Sequence, residues 1–147
     1  MEPKCREWTD QALTSGSSSC SANQRKDRRV AAILDGLKKR GCPLSREQFV
    51  CLMCSQQARG AFNAASGTLT ICANNVSSYR QVRDVLSHEL IHAYDSSHPD
   101  FNPEDPKHHA CSEIRAMHLG GDCEMLKEFF RGHFSFSGMF EVFPRSS

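Results

Sequence analysis

The sequence predicts an α+β fold in which a small sheet packs against one buried helix, and three observations predict it. Residues 60–62 and 69–72 read as two short strands flanking Ala64, Ala65, Ser66 and Gly67, a hairpin with a longer loop. A helical pattern capped by Ser77 or Ser78 then runs to about Asp95, with Val82, Val85, Leu86 and Leu90 supplying much of its buried face. A second helix is expected over residues 111–118, stopped by Gly120 and Gly121.

The 147 residues are about one domain's worth of chain, enough for a genuine core and too few for two independent enzymatic units. Hydrophobic residues make up 39% and charged residues 24%, the composition of a soluble globular protein. With 18 basic against 17 acidic side chains, bulk charge predicts no nucleic-acid partner.

Residues 1–24 show little periodicity and contain a Ser/Gly tract at 15–19, so they are expected to form a flexible leader. The opening MEPKCREWTD mixes acids and bases and reads neither as a secretory signal nor as an Arg-rich transit peptide. Residues 25–40 carry seven basic and two acidic side chains. Val30, Ile33, Leu34 and Leu37 make one apolar stripe there, on a helix ended by Gly41. That stripe is read as a docking face, in preference to an anionic-lipid contact. Cys42-Pro43 opens a loop that leads to the hairpin.

The uncharged run 60–79 invites a membrane reading, but Asn63, Asn74 and Asn75 with several Ser and Thr mark loops and strands instead. Three prolines between Ser96 and Pro106 demand a turn before the second helix. A third helix is expected over 124–130, and 134–147 is read as an irregular tail. The domain proper is therefore placed at 25–133.

The chemistry is concentrated in His88-Glu89-Leu90-Ile91-His92. Residues four apart on a helix share a face, so the two imidazoles can point at one ion, with Glu89 beside them as a general base. The flanks, Val85 to Ser87 and Ala93-Tyr94, contain no charge or proline, as a buried supporting helix requires. A catalytic zinc site ordinarily has three protein ligands and an open position. Glu113, 21 residues after His92 on the next predicted helix, is the leading third ligand, with His108, His109 and Asp95 as rivals. Asp95 is better placed to orient a ligand, and His109 or His118 to donate a proton or contact an oxyanion. One Zn2+ would lower the pKa of its water to roughly 7, and Glu89 would take that water's proton. The strand ending at Cys72 is a candidate edge for an extended peptide substrate. The fold expected around such a site is zincin-like, with the Glu113 helix completing it from below.

Eight cysteines are more than a reducing cytosol usually tolerates without metal or redox chemistry. Cys51-Leu52-Met53-Cys54, with Cys42 and Cys72, could form a structural zinc knot or a redox pair, but a ribbon would prefer two matched CxxC pairs. Disulfides in an oxidising compartment explain Cys42, Cys51, Cys54, Cys72, Cys111 and Cys123 more economically, which leaves Cys5 and Cys20 as candidate free thiols in the leader.

Taken together, HELIHAYD at 88–95, HACSEIRA at 109–116 and LGGDC at 119–123 resemble the mitochondrial inner membrane metalloprotease family that matures ATP synthase subunit 6. The similarity extends over about residues 30–134, including Gly41-Cys42 and the stretch from Cys51-x-x-Cys54 to Cys72-x-Asn74. The resemblance implies that His88 and His92 are zinc ligands and Glu89 the catalytic acid/base. It also implies a protein held peripherally on the inner membrane, on the intermembrane-space side, that trims precursor subunit 6 and aids F0 assembly. Import by oxidative trapping of cysteines would account for both the thiols and the plain N-terminus. Family members carry a longer segment after the point matching Phe134, Ser is usual where Gly120 stands, and some have Cys near Ser96-Ser97. Those departures make a catalytically impaired assembly chaperone the alternative expectation.

Overall fold

The structure is a computed structural model that describes residues 1–14 and 28–120. In chain order it contains α1 (Glu2–Thr14), α2 (Arg28–Lys39), a short 3-10 turn (Arg46–Gln48), β1 (Phe49–Leu52), β2 (Gly60–Asn63), β3 (Thr68–Cys72), α3 (Tyr79–Ser96) and α4 (Pro106–Gly120). Among the described residues the strands form one sheet in the order β1-β3-β2. β1 runs parallel to β3 with Cys51 opposite Ile71, and β2 runs antiparallel to it with Phe62 opposite Leu69. The mixed α+β architecture agrees with the sequence expectation.

The central element is α3. Ser78 caps it by accepting a hydrogen bond from the Gln81 amide, and the Gln81 side chain in turn accepts from the Ser77 amide. Leu86, Leu90 and Val82 on α3 are fully buried against Leu69 and Ile71 of β3 and Val30 and Leu37 of α2. The stripe on α2 is therefore a docking face. Gly41, at φ +77°, ends α2 in a left-handed turn: the Cys42 amide donates to Leu37 O and the Gly41 amide to Lys38 O.

Three expectations are corrected. The first 14 residues are not an unstructured leader: α1 buries Cys5, Thr9 and Ala12 on one face. Those side chains are too small and mixed to register as an apolar stripe, and a disulfide from Cys5 to Cys51 supplies the tie that local propensity does not. β1 lies where the sequence reads as loop. Four consecutive residues, with Phe49 and Cys51 buried, carry too short a pattern to separate a parallel strand from an apolar loop. The second long helix begins at Pro106, five residues before the expected start, because Asp105 Oδ1 accepts from the Lys107 amide and Pro106 takes the first helical position, where no amide proton is needed.

The thiol expectation also changes. Cys5 is bonded to Cys51 and Cys54 to Cys72, with Cα separations of 6.1 and 5.3 Å. Cys51 and Cys54 thus go to different partners, which removes both the zinc knot and the CxxC redox pair. Cys42 and Cys111 are exposed and in no disulfide among the described residues. Cys20, Cys123, the expected helix at 124–130 and the tail at 134–147 lie outside the described residues.

Candidate metal centre

Helical spacing does for the site what the sequence requires of it. One turn of α3 brings His88 Nε2 and His92 Nε2 to 3.1 Å, with the rings edge-to-face at 73°. α4 packs across α3 and delivers Glu113, whose Oε2 lies 3.6 Å from His88 Nε2 and whose Oε1 lies 3.3 Å from His92 Nε2. One donor atom from each of the three residues falls within 4.8 Å of the others. Among the rivals, His109 comes nearest, with Nε2 at 3.9 Å from Glu113 Oε1 one helical turn away.

The other candidates do not join this cluster. Asp95 is buried, and its ion pair among the described residues is with Arg115 at 3.3 Å, not with His88 or His92. His108 accepts a hydrogen bond from the Asn102 amide through Nδ1 and stacks on Phe101. His118 is exposed in the last turn of α4. The residue that holds His92 from behind is Ser112, whose Oγ lies 2.9 Å from Nδ1. The sequence reading missed it because a serine inside a helix carries no signal of its own; its only clue is that it immediately precedes Glu113 on a helix already expected to face α3.

Burial sets the electrostatics. Desolvation lowers the His88 pKa to about 4, and desolvation, with the His88 and His109 charges added, lowers that of His92 to about 3. Both rings are therefore neutral at pH 7, each with a lone pair to offer. Desolvation raises Glu113 to about 7. Glu89 rises to about 8, mainly by desolvation and then by the Glu113 charge, against a hydrogen bond from the Phe62 backbone. Glu113 Oε1 is buried with no hydrogen-bond partner among the described residues. Tetrahedral zinc with ligand bonds of roughly 2.0–2.1 Å places its ligand atoms about 3.3 Å apart. The two Nε2 atoms, 3.1 Å apart, are near that edge length, and Glu113 approaches His92 through Oε1 at 3.3 Å and His88 through Oε2 at 3.6 Å; two neutral imidazoles and a carboxylate are a donor set that fits the ion.

Glu89 faces the sheet. Gly60 on β2 permits the approach: a Cβ there would overlap the Val85 side chain, stand 3.0 Å from Thr70 O and come within 3.3 Å of Glu89 Cγ. β3, the strand ending at Cys72, is paired on both sides and offers no edge. The edge strand beside α3 is β2.

A family model described as the Peptidase M76 family matches residues 14–142. The mitochondrial inner membrane protease ATP23 homolog of Homo sapiens is 38% identical over 108 residues, covering 71% of this chain and 44% of that protein. Its counterpart in Xenopus laevis is 38% identical over 77% of this chain and 49% of its own length. The mitochondrial inner membrane protease ATP23 of Debaryomyces hansenii is 37% identical over 67% of this chain and 42% of its own. The chain spans about half the length of the curated relatives it matches. No solved structure matches it significantly.

Proposed function

The chain belongs to the Peptidase M76 family, and from that premise we propose that it is a zinc-dependent endopeptidase with a zincin-like catalytic centre. The observation that carries this reading is the convergence of His88 Nε2, His92 Nε2 and the Glu113 carboxylate, with one ligand atom from each residue within 4.8 Å of the others. Those three side chains would hold the ion. When bound, zinc supplies Lewis acidity toward the scissile carbonyl and an acidified water in its open position.

The chain's own residues supply the rest. Glu89 accepts the proton of the attacking water and returns it to the leaving nitrogen. The Phe62 backbone holds the carboxylate, and burial keeps bulk solvent from competing for its proton. Substrate is read as an extended peptide added to the outer edge of β2, which lies beside Glu89. His109, at the margin of the cluster, is the side chain placed to donate to the developing oxyanion.

The substrate and place proposed are precursor ATP synthase subunit 6 and the intermembrane-space face of the mitochondrial inner membrane, with peripheral attachment. The relatives' names support the membrane, and two disulfides suit an oxidising compartment. No described helix is long and apolar enough to cross a membrane. The decisive test is Glu89→Gln in the full chain. It should retain one zinc per chain while cleavage of precursor subunit falls at least about 100-fold; undiminished cleavage, or a wild-type chain that takes up no zinc, defeats the reading.

A further inference from the structure

We infer that Ser112 is a positioning residue that holds the His92 ring with its proton on Nδ1 and its lone pair on Nε2 facing the ligand cluster; this rests on the metalloendopeptidase reading. Ser112 is 1% exposed, in the seam between α3 and α4. A buried hydroxyl without a partner is destabilising. Among the described residues, the hydrogen bond that its side chain makes is the 2.9 Å contact with His92 Nδ1. The opposite nitrogen of the same ring lies 3.1 Å from His88 Nε2 and 3.3 Å from Glu113 Oε1. In this arrangement the hydroxyl accepts from Nδ1–H, and a half-turn of the ring about Cβ–Cγ would carry both nitrogens off their contacts.

His88 lacks such a brace: its Nδ1 is buried with no hydrogen-bond partner among the described residues. Orientation of the pair therefore depends on His92. Two consecutive residues of α4 touch that ring, Ser112 behind it and Glu113 in front, so docking of one helix sets a donor and the orientation of its neighbour together. Partners of this kind contribute roughly 10–100-fold to metal affinity elsewhere.

The experiment compares the oxidised full chain with Ser112→Ala, using zinc alone as probe in competition with a chromophoric chelator, and records 15N chemical shifts of the His92 ring without metal. The expected result is a loss of about tenfold or more in zinc affinity for Ser112→Ala with an unchanged metal-free melting temperature, and an Nδ1–H tautomer in the wild type that becomes mixed in the variant. Equal affinities, or a wild-type ring protonated on Nε2, overturn the inference. If the variant fails to fold, the wild-type tautomer alone decides. A wild type that binds no zinc yet shows the Nδ1–H tautomer sinks the peptidase reading and leaves the Ser112–His92 link standing.

Discussion

Glu113 and Glu89 are both carboxylic acids shifted upward by burial, yet their consequences separate once a cation is considered. Glu113→Ala removes a donor from the cluster and should lower zinc affinity by more than about 100-fold, beyond what loss of an outer partner costs, as titration calorimetry would register. In the metal-free protein the folded carboxyls titrate at about 7 and 8 instead of the ordinary 4.5. The folded chain thus keeps protons that the unfolded chain has lost, and stability falls as pH rises through that window. His88 and His92 act oppositely: their folded values of about 4 and 3 against an ordinary 6.5 mean that stability rises with pH up to 6.5. The slopes oppose one another between 4.5 and 6.5, and above 6.5 only the carboxyls act. The melting temperature of the metal-free protein should therefore drop between about pH 6.5 and 8.5, while that of the zinc-loaded protein should not, because the bound cation favours the ionised carboxylate. A flat metal-free profile would contradict the burial of these acids.

At the scale of elements, α3, which bears His88, Glu89 and His92, is buried by the helices and sheet around it. Leu86, fully enclosed between α2 and the sheet, should cost about 2–5 kcal/mol when replaced by Ala, measured by urea denaturation. β2 is constrained differently, by closeness. Gly60→Val puts branched bulk where even a Cβ overlaps Val85 and crowds Glu89, so the strand must lift away from the Glu89 carboxyl. Cleavage should fall well before zinc binding does, and equal losses of both would show that the substitution disrupts the fold and not the β2–Glu89 approach. α3 was legible in the sequence, with its cap narrowed to Ser77 or Ser78, since a long buried helix repeats its signal over several turns. β1 was not, since a four-residue strand has no repeat to detect, and α1 was not, since its buried face is made of Cys5, Thr9 and Ala12.

Across the whole molecule, the disulfides tie together segments distant along the chain. Cys5–Cys51 closes a loop with a sequence separation of 46 and ties α1 to β1, while Cys54–Cys72 spans 18 and is braced by Asn74, whose side chain both accepts from and donates to the Cys54 backbone. Loop closure over 46 residues is worth about 4 kcal/mol in the chain-entropy account. Cys5→Ser with Cys51→Ser should lower stability by about 2–4 kcal/mol and speed amide exchange across residues 2–14, and unchanged exchange there would mean that α1 docks without its tie. What the sequence by itself determined was the pair of imidazoles, the adjacent Glu89 and the helix that bears them, because one turn of backbone fixes their relations locally. Only the tertiary structure decided that Glu113 reaches the same point, that Ser112 and not Asp95 stands behind His92, that the edge strand beside Glu89 is β2, and which cysteines meet. Each of those is a contact between elements distant along the chain, set by how helices and strands pack, and no local periodicity encodes it.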